Sequence, residues 1–175
     1  MNSIIKDQHD FRGEYMTNFK DILQKDLILS RPLSKNEIDK LTLANSILEE
    51  EEEPCLPKQW FCSIDLEEWT DVEIFVQGNM EQPYEEFIEI AGNILDNSPQ
   101  HVDRALKYLK RFFPAQEEGD YELSAISFGK FVNFDEYLFK GFTIAFIHGD
   151  YPYAFQYKVK FKENGWPIGF EGGPL

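Results

Sequence analysis

The chain has 175 residues, with 32 Asp or Glu side chains against 17 Lys or Arg, so its formal net charge is −15. This length suits one domain of ordinary size, and a hydrophobic content of 42% with 15% aromatic residues is enough to build a core. So acidic a composition argues against nucleic acid or an anionic membrane as the partner, because binding either usually requires a basic surface. A basic protein partner, or no partner of opposite charge, is expected instead.

The sequence also bears on the cellular compartment. Its first residues contain no apolar stretch of signal-peptide length, and the apolar run at 142–147 is far shorter than the roughly 20 residues of a membrane helix. Two cysteines, Cys55 and Cys62, are too few for a disulfide-rich scaffold. These features predict a cytoplasmic protein with reduced thiols. A single bridge between the two cysteines, or a redox role for them, remains an open alternative.

Two helices are predicted at the start of the chain. Apolar residues at helical spacing indicate the first over residues 15–29, before Pro32. Ser34 and Glu37 have the spacing of a capping box, which begins a second helix that continues to about residue 48. We therefore expect an N-terminal helical segment over residues 1–53 and a core domain over residues 54–175. A single continuous domain is the alternative.

The core domain is predicted to be α+β. Alternating apolar residues indicate a β-hairpin with an acidic loop over residues 65–70, then two central helices and a C-terminal antiparallel meander packed on helices. The clearest alternation occurs at 153–162, before the hairpin turn Asn164-Gly165. The expected elements are strands at 60–64 and 72–76, helices at 83–96 and 98–113, and strands at 121–128, 142–148, 153–161 and 166–170.

The negative charge is concentrated in one part of the sequence. Residues 49–96 hold 15 acidic side chains and one basic side chain, Lys58, which gives this stretch a formal charge of −14. It is either a solvated helix face with a loop, or an acidic surface presented to a basic partner together with the exposed indole of a tryptophan. The residues expected at such a surface are Glu67, Glu68, Trp69, Asp71, Glu73, Glu85, Glu86 and Glu89.

The motifs of common catalytic classes do not occur in the sequence, so we expect a protein that is not an enzyme and uses no cofactor. The acids of the hairpin loop lack the order of a calcium loop, and the two cysteines have no neighbouring histidines for zinc, so no metal is expected either. His148 and Asp150 at a strand end leave open a small enzyme or a ligand-binding domain with a pocket there. A structural protein whose acidic charge serves solubility is a third interpretation.

Several segments together resemble a known group of proteins. They are Gln82-Pro83-Tyr84-Glu85, Ala105-Leu106-Lys107-Tyr108-Leu109, Asp150-Tyr151-Pro152-Tyr153, and the run from Val159 to Gly165. Over residues 58–171 the chain resembles a loose group of small acidic bacterial domains of unknown function, often found among immunity proteins of polymorphic toxin and contact-dependent inhibition systems. The resemblance implies a stoichiometric inhibitor that binds and neutralises a basic toxin domain and has no catalytic residues.

Overall fold

The fold is taken from a computed structural model, which describes residues 18–29, 58–116, 120–132 and 138–175. Within these ranges the chain forms three helices and seven strands. In chain order they are α1 (Phe19–Asp26), β1 (Ile28–Leu29), β2 (Lys58–Leu66), β3 (Trp69–Gly78), α2 (Glu85–Leu95), α3 (Ser98–Lys110), β4 (Tyr121–Val132), β5 (Leu138–His148), β6 (Phe155–Lys162) and β7 (Pro167–Pro174). The α+β class predicted from the sequence is confirmed.

All seven strands belong to one sheet, in which the spatial order of the strands equals their order in the chain. Neighbouring strands are antiparallel except β3 and β4, which run parallel with Ile74 opposite Ile126. A parallel pair requires a long crossover connection, and α2 and α3 occupy that connection. The hairpin of β2 and β3 and the antiparallel meander of β4 to β7 are therefore parts of a single sheet.

The start of the chain differs from the prediction. The first helix ends at Asp26 rather than at residue 29, and Ile28 and Leu29 instead pair with Phe61 and Trp60 of β2. Leu27, with an extended backbone, makes the change from helix to strand and is buried. The second predicted helix and the run Glu49–Glu53 lie outside the described residues, and the domain boundary after residue 53 stays a prediction.

The helices cover one face of the sheet, and the core lies between the two layers. Alternate residues of β3, such as Val72, Ile74 and Val76, are fully buried, as the sequence alternation predicted. In β5 and β6 the same face is aromatic, and the rings of Phe142 and Phe161 stack with their centroids 4.7 Å apart. Each such side chain contributes on the order of 1.5–3 kcal/mol through burial.

Two predicted boundaries are also revised. The acidic loop expected over residues 65–70 is only a two-residue turn, Glu67-Glu68, because Leu66 and Trp69 already pair with each other. The helix α3 ends at Lys110 and not at residue 113 as expected, and its N-cap is Asn97. Ser98 is buried in the first turn of α3, with Pro99 directly after it.

The parallel pair is extended at one end by a side chain. The amide of Gln77 donates from Nε2 to the carbonyl oxygen of Lys130 at 3.0 Å, and its Oε1 accepts from the Lys130 N–H at 2.8 Å. Gln77 thus offers β4 the same donor and acceptor as a peptide group. This close approach needs a glycine, because a Cβ on Gly129 would lie only 2.2 Å from Cδ of Gln77.

This arrangement predicts a coupled effect on stability. Gly129→Ala is expected to lower the free energy of unfolding by about 2 kcal/mol, since the new methyl group displaces the Gln77 amide from its two partners. In a Gln77→Ala background the same change should cost much less. Gly173→Ala is the control, because nothing lies within 4 Å of a Cβ there. Chemical denaturation would measure all variants, and equal costs of Gly129→Ala in both backgrounds would contradict the proposed contact.

Candidate binding surface

The eight residues predicted to bind a partner lie in two separate parts of the fold. Glu67 and Glu68 form the turn between β2 and β3, and Trp69, Asp71 and Glu73 follow along the first half of β3. The three glutamates of α2 come after the other end of β3. Because five more residues of β3 follow Glu73, the two groups are separated by at least about 15 Å along the strand. The structure therefore does not bring all eight side chains together.

The α2 glutamates already have basic neighbours. Lys20 of α1 lies 3.2 Å from Glu85 and 3.5 Å from Glu89, and Lys140 of β5 lies 3.5 Å from Glu86. The hydrogen bond to Glu85 is the largest influence that raises the pKa of Lys20 above its usual value. Such exposed ion pairs add little stability. They do offset the negative charge that α2 presents to solvent.

The hairpin turn has an unusual backbone. Glu67 has φ +46° and Asp71 has φ +56°. Both values lie in the left-handed region, which residues other than Gly, Asn and Asp rarely adopt. The carboxylate of Asp65 accepts a hydrogen bond from the backbone N–H of Asp71 at 3.1 Å, beside a bulge between Ile64 and Leu66. Glycine at position 67 would therefore adopt this backbone conformation with less strain than Glu67 does.

Trp69 is not the freely exposed aromatic residue that the sequence suggested. Its side chain is half-buried and packs against the hydrophobic core. The alternation of apolar residues in β3 starts at Val72, so sequence pattern alone could not place Trp69 on the core side of the turn. Exposed aromatic rings occur instead in a neighbouring loop.

The parallel pairing of β3 and β4 determines which loops meet. It places the start of β4 beside the hairpin turn, since Glu73 lies opposite Ala125 and both strands run in the same direction. The antiparallel pair of β4 and β5 then brings the end of β5 to the same margin, where Tyr121 lies opposite His148. The loop between β5 and β6 follows there. This margin spans about 15 Å, or three strand spacings, from β3 to β6.

We call this margin the acidic edge. It consists of the carboxylates of Asp65, Glu67, Glu68, Asp71, Asp120, Glu122 and Asp150 with the rings of Tyr151 and Tyr153. No lysine or arginine occurs within residues 65–71, 120–122 or 148–153. Among the described residues, no basic side chain forms a salt bridge with Glu67, Glu68 or Asp150. The edge is thus a continuous region of negative charge.

The two tyrosines of the edge are the most exposed large hydrophobic side chains of the described residues. Tyr151 is 87% exposed and Tyr153 is 88% exposed. They lie in the loop between β5 and β6, which is held by a hydrogen bond from the Tyr153 N–H to the Asp150 carbonyl at 2.8 Å. Rings exposed to this extent contribute nothing to the core, so their position favours a role in contact with another molecule.

A cavity of about 470 Å³ opens at the same edge, beside His148. Its walls include Glu122, Asp150 and the ring of His148, which lies 5.1 Å from the ring of Tyr121. A cavity therefore lies near His148 and Asp150, and its use by a ligand stays a prediction. Within the described ranges, no group of three or more His, Cys, Asp or Glu side chains is arranged to hold a metal ion.

The two cysteines have different outcomes. Cys62 lies in β2 and is a buried free thiol, and burial, assisted by the charge of Asp26, raises its pKa to about 11. Such a thiol is mostly protonated at neutral pH and is a weak nucleophile. Cys55 lies outside the described residues, so the possible bridge between the two stays untested.

Sequence reasoning did not include Asp120, Glu122, Tyr151 or Tyr153 in the binding surface. Asp150 and Tyr151 were visible after a predicted strand, and Tyr153 was predicted to begin the next strand, which starts instead at Phe155. All three are some 80 residues from the hairpin in the chain. Only the parallel pairing of β3 and β4 brings the two regions together. The sequence carried no local signal for that pairing.

Comparison of the chain with protein-family models, curated proteins and solved structures gave no significant match in any of the three. None of the helices in the described ranges has both the length and the apolar composition of a membrane-spanning segment.

The backbone of the hairpin turn leads to a testable prediction. Glu67→Gly should raise the free energy of unfolding by up to about 1 kcal/mol, because glycine adopts a positive φ without steric cost. Glu68→Gly is the matched control. Glu68 has no positive φ, so there glycine should lower stability by about 0.5–1 kcal/mol through the entropy of the unfolded chain. Urea denaturation measures both. Equal destabilisation by the two changes would show that Glu67 is not strained.

Proposed function

We propose that this protein is a non-catalytic binding module whose acidic edge contacts a basic protein. The observation that supports this most strongly is the combination of seven carboxylates from three chain segments with two tyrosines almost fully exposed to solvent. In line with the resemblance to bacterial immunity proteins, the proposed partner is a cognate toxin domain with a cationic surface, and the proposed compartment is the cytoplasm.

The two kinds of side chain have different roles in this proposal. Carboxylates concentrated at one margin attract a cationic surface over a distance of about 10 Å at moderate salt, which raises the association rate. Charges at the rim of an interface contribute more to that rate than to final affinity. Tyr151 and Tyr153 contribute the apolar area that slows dissociation, since tyrosine loses little side-chain entropy on binding.

The acidic edge is a better candidate than the glutamates of α2. The α2 side chains are already paired with Lys20 and Lys140, so a cationic partner would have to compete with these lysines. The salt bridges of the described residues leave Glu67, Glu68 and Asp150 unpaired. Of the residues predicted from the sequence, we therefore retain Glu67, Glu68 and Asp71 in the proposed contact and add the β5–β6 loop.

Two matched variants test the assignment. The edge variant carries Glu67→Gln, Glu68→Gln and Asp150→Asn, and the α2 variant carries Glu85→Gln, Glu86→Gln and Glu89→Gln. Each removes three negative charges, so the net charge of the chain changes equally. Tagged wild type and both variants would be used to capture partners from a lysate at low and at high salt. Association with the captured protein should slow by tenfold or more for the edge variant, because steering by charge has effects of about 10- to 1,000-fold.

The wild type and the α2 variant should capture the same basic protein at low salt and less of it at high salt. A Tyr151→Ala/Tyr153→Ala variant should associate at nearly the wild-type rate and dissociate faster. Loss of capture in the α2 variant but not in the edge variant would contradict the proposed surface. Equal capture by all variants would instead favour the view that the charge serves solubility.

The cavity beside His148 supports a second candidate, a ligand-binding or small catalytic domain. Its volume of about 470 Å³ lies within the usual range for small-molecule sites. A His148→Ala variant separates the two functions, because it changes the cavity wall without removing a carboxylate of the edge. Loss of the cellular phenotype with unchanged partner capture would favour the ligand site. An unchanged cellular phenotype in the His148→Ala variant would argue against the ligand site. A toxin gene directly upstream of the gene for this protein would support the immunity role.

A further inference from the structure

A second surface feature lies on the helical layer, near the turn between β6 and β7. A groove of about 500 Å³ runs along α3 and is closed on one side by this turn. The groove is lined by Arg104, Lys107 and Tyr108 of α3, by its C-cap residue Arg111 and by Trp166 of the turn. Lys107, Tyr108 and Arg111 follow Arg104 by three, four and seven residues, so all four lie on the same side of the helix as Arg104. We call these five residues the cationic groove.

The residues that line the groove carry more positive than negative charge. Lys107 pairs with Asp103 at 2.8 Å, and Asp103 is the one acidic side chain among the lining residues. The guanidinium of Arg104 donates to the carbonyl oxygen of Gly165 at 2.6 Å. Among the residues that the structure describes, neither Arg104 nor Arg111 forms a salt bridge. This is unexpected in a chain with 32 acidic and 17 basic side chains.

An aromatic ring stands beside these charges. Trp166 is 68% exposed, although the turn that carries it is firmly held. Gly165 has φ +75°, and its carbonyl oxygen accepts a hydrogen bond from Arg104. The backbone N–H of Trp166 donates to the side-chain oxygen of Asn164 at 3.2 Å. The groove therefore combines the flat, solvent-exposed face of an indole with the positive charge of the two arginines opposite it.

We propose that the cationic groove binds a small organic anion in which a flat aromatic ring carries a phosphate or a carboxylate group. The anionic group lies between Arg104 and Arg111, where charge-assisted hydrogen bonds from guanidinium groups form. The ring lies against Trp166. The groove is of ordinary size for such a ligand.

A small anion fits this surface better than a nucleic acid does. The chain has a net charge of −15, which repels an extended polyanion, whereas a small ligand interacts mainly with its immediate surroundings. The β6–β7 turn also lies at the end of the sheet opposite to the acidic edge, since β6 begins at that edge and runs away from it. The proposal is therefore independent of the partner proposed for the acidic edge.

Two probes with uncharged counterparts test the ligand class. Adenosine monophosphate is compared with adenosine, and indole-3-acetate with indole-3-acetamide, by ligand-observed NMR on the full chain. At least one of the two anions should bind about tenfold more tightly than its uncharged counterpart, because hydrogen bonds to charged groups are worth that much or more. Inorganic phosphate is the third probe and should bind more weakly than the ring-bearing anion.

Variants connect binding to the groove. Arg111→Gln should weaken the preferred anion about tenfold, and Trp166→Ala should weaken it as well. Lys25→Gln is the control, because it removes the same charge from an exposed position on α1, far from the groove. The proposal is overturned if neither anion binds, if Arg111→Gln and Lys25→Gln behave alike, or if inorganic phosphate binds as well as the ring-bearing anion.

Discussion

The parallel pairing of β3 and β4 is the constraint on which the rest of the structure depends. Without it, the hairpin and the C-terminal meander would be two separate sheets, and β3 and β4 would each be an unpaired edge strand. The pairing requires a crossover, which α2 and α3 supply, and the same helices then cover the aromatic face of the sheet. The two hydrogen bonds between Gln77 and Lys130 extend this pairing by one residue of β3 and two residues of β4. Core, helix layer and surface charge all follow from this one contact between strands.

The same contact changes the meaning of the net charge. In the sequence, almost all of the excess negative charge falls within residues 49–96. In the fold, the described part of that stretch divides between two ends of β3, and the acids of α2 are paired with lysines. Asp120, Glu122 and Asp150 come from the nearly neutral remainder of the chain and join the hairpin turn. The continuous acidic surface is therefore a product of topology, and its members are not neighbours in sequence.

How far the sequence could predict this structure depends on the range of the interaction involved. Alternation at Tyr157, Val159 and Phe161 is a local signal and correctly placed these side chains in the core. The change from helix to strand at Leu27 was missed because it depends on pairing with β2, which lies some 30 residues away. Glu67 and Glu68 were placed in the candidate site because they are charged and lie between strands. Tyr151 and Tyr153 were not, because their exposure and their neighbours are set by long-range strand pairing.

The central claim is that the hairpin turn and the β5–β6 loop form one binding surface. Hydrogen–deuterium exchange of the protein, alone and with its captured basic partner, tests this most directly. Amide exchange within residues 65–71 and 148–154 should slow together when the partner binds, and exchange within residues 85–95 should not change. Protection of residues 85–95, or of only one of the two edge segments, would contradict the account.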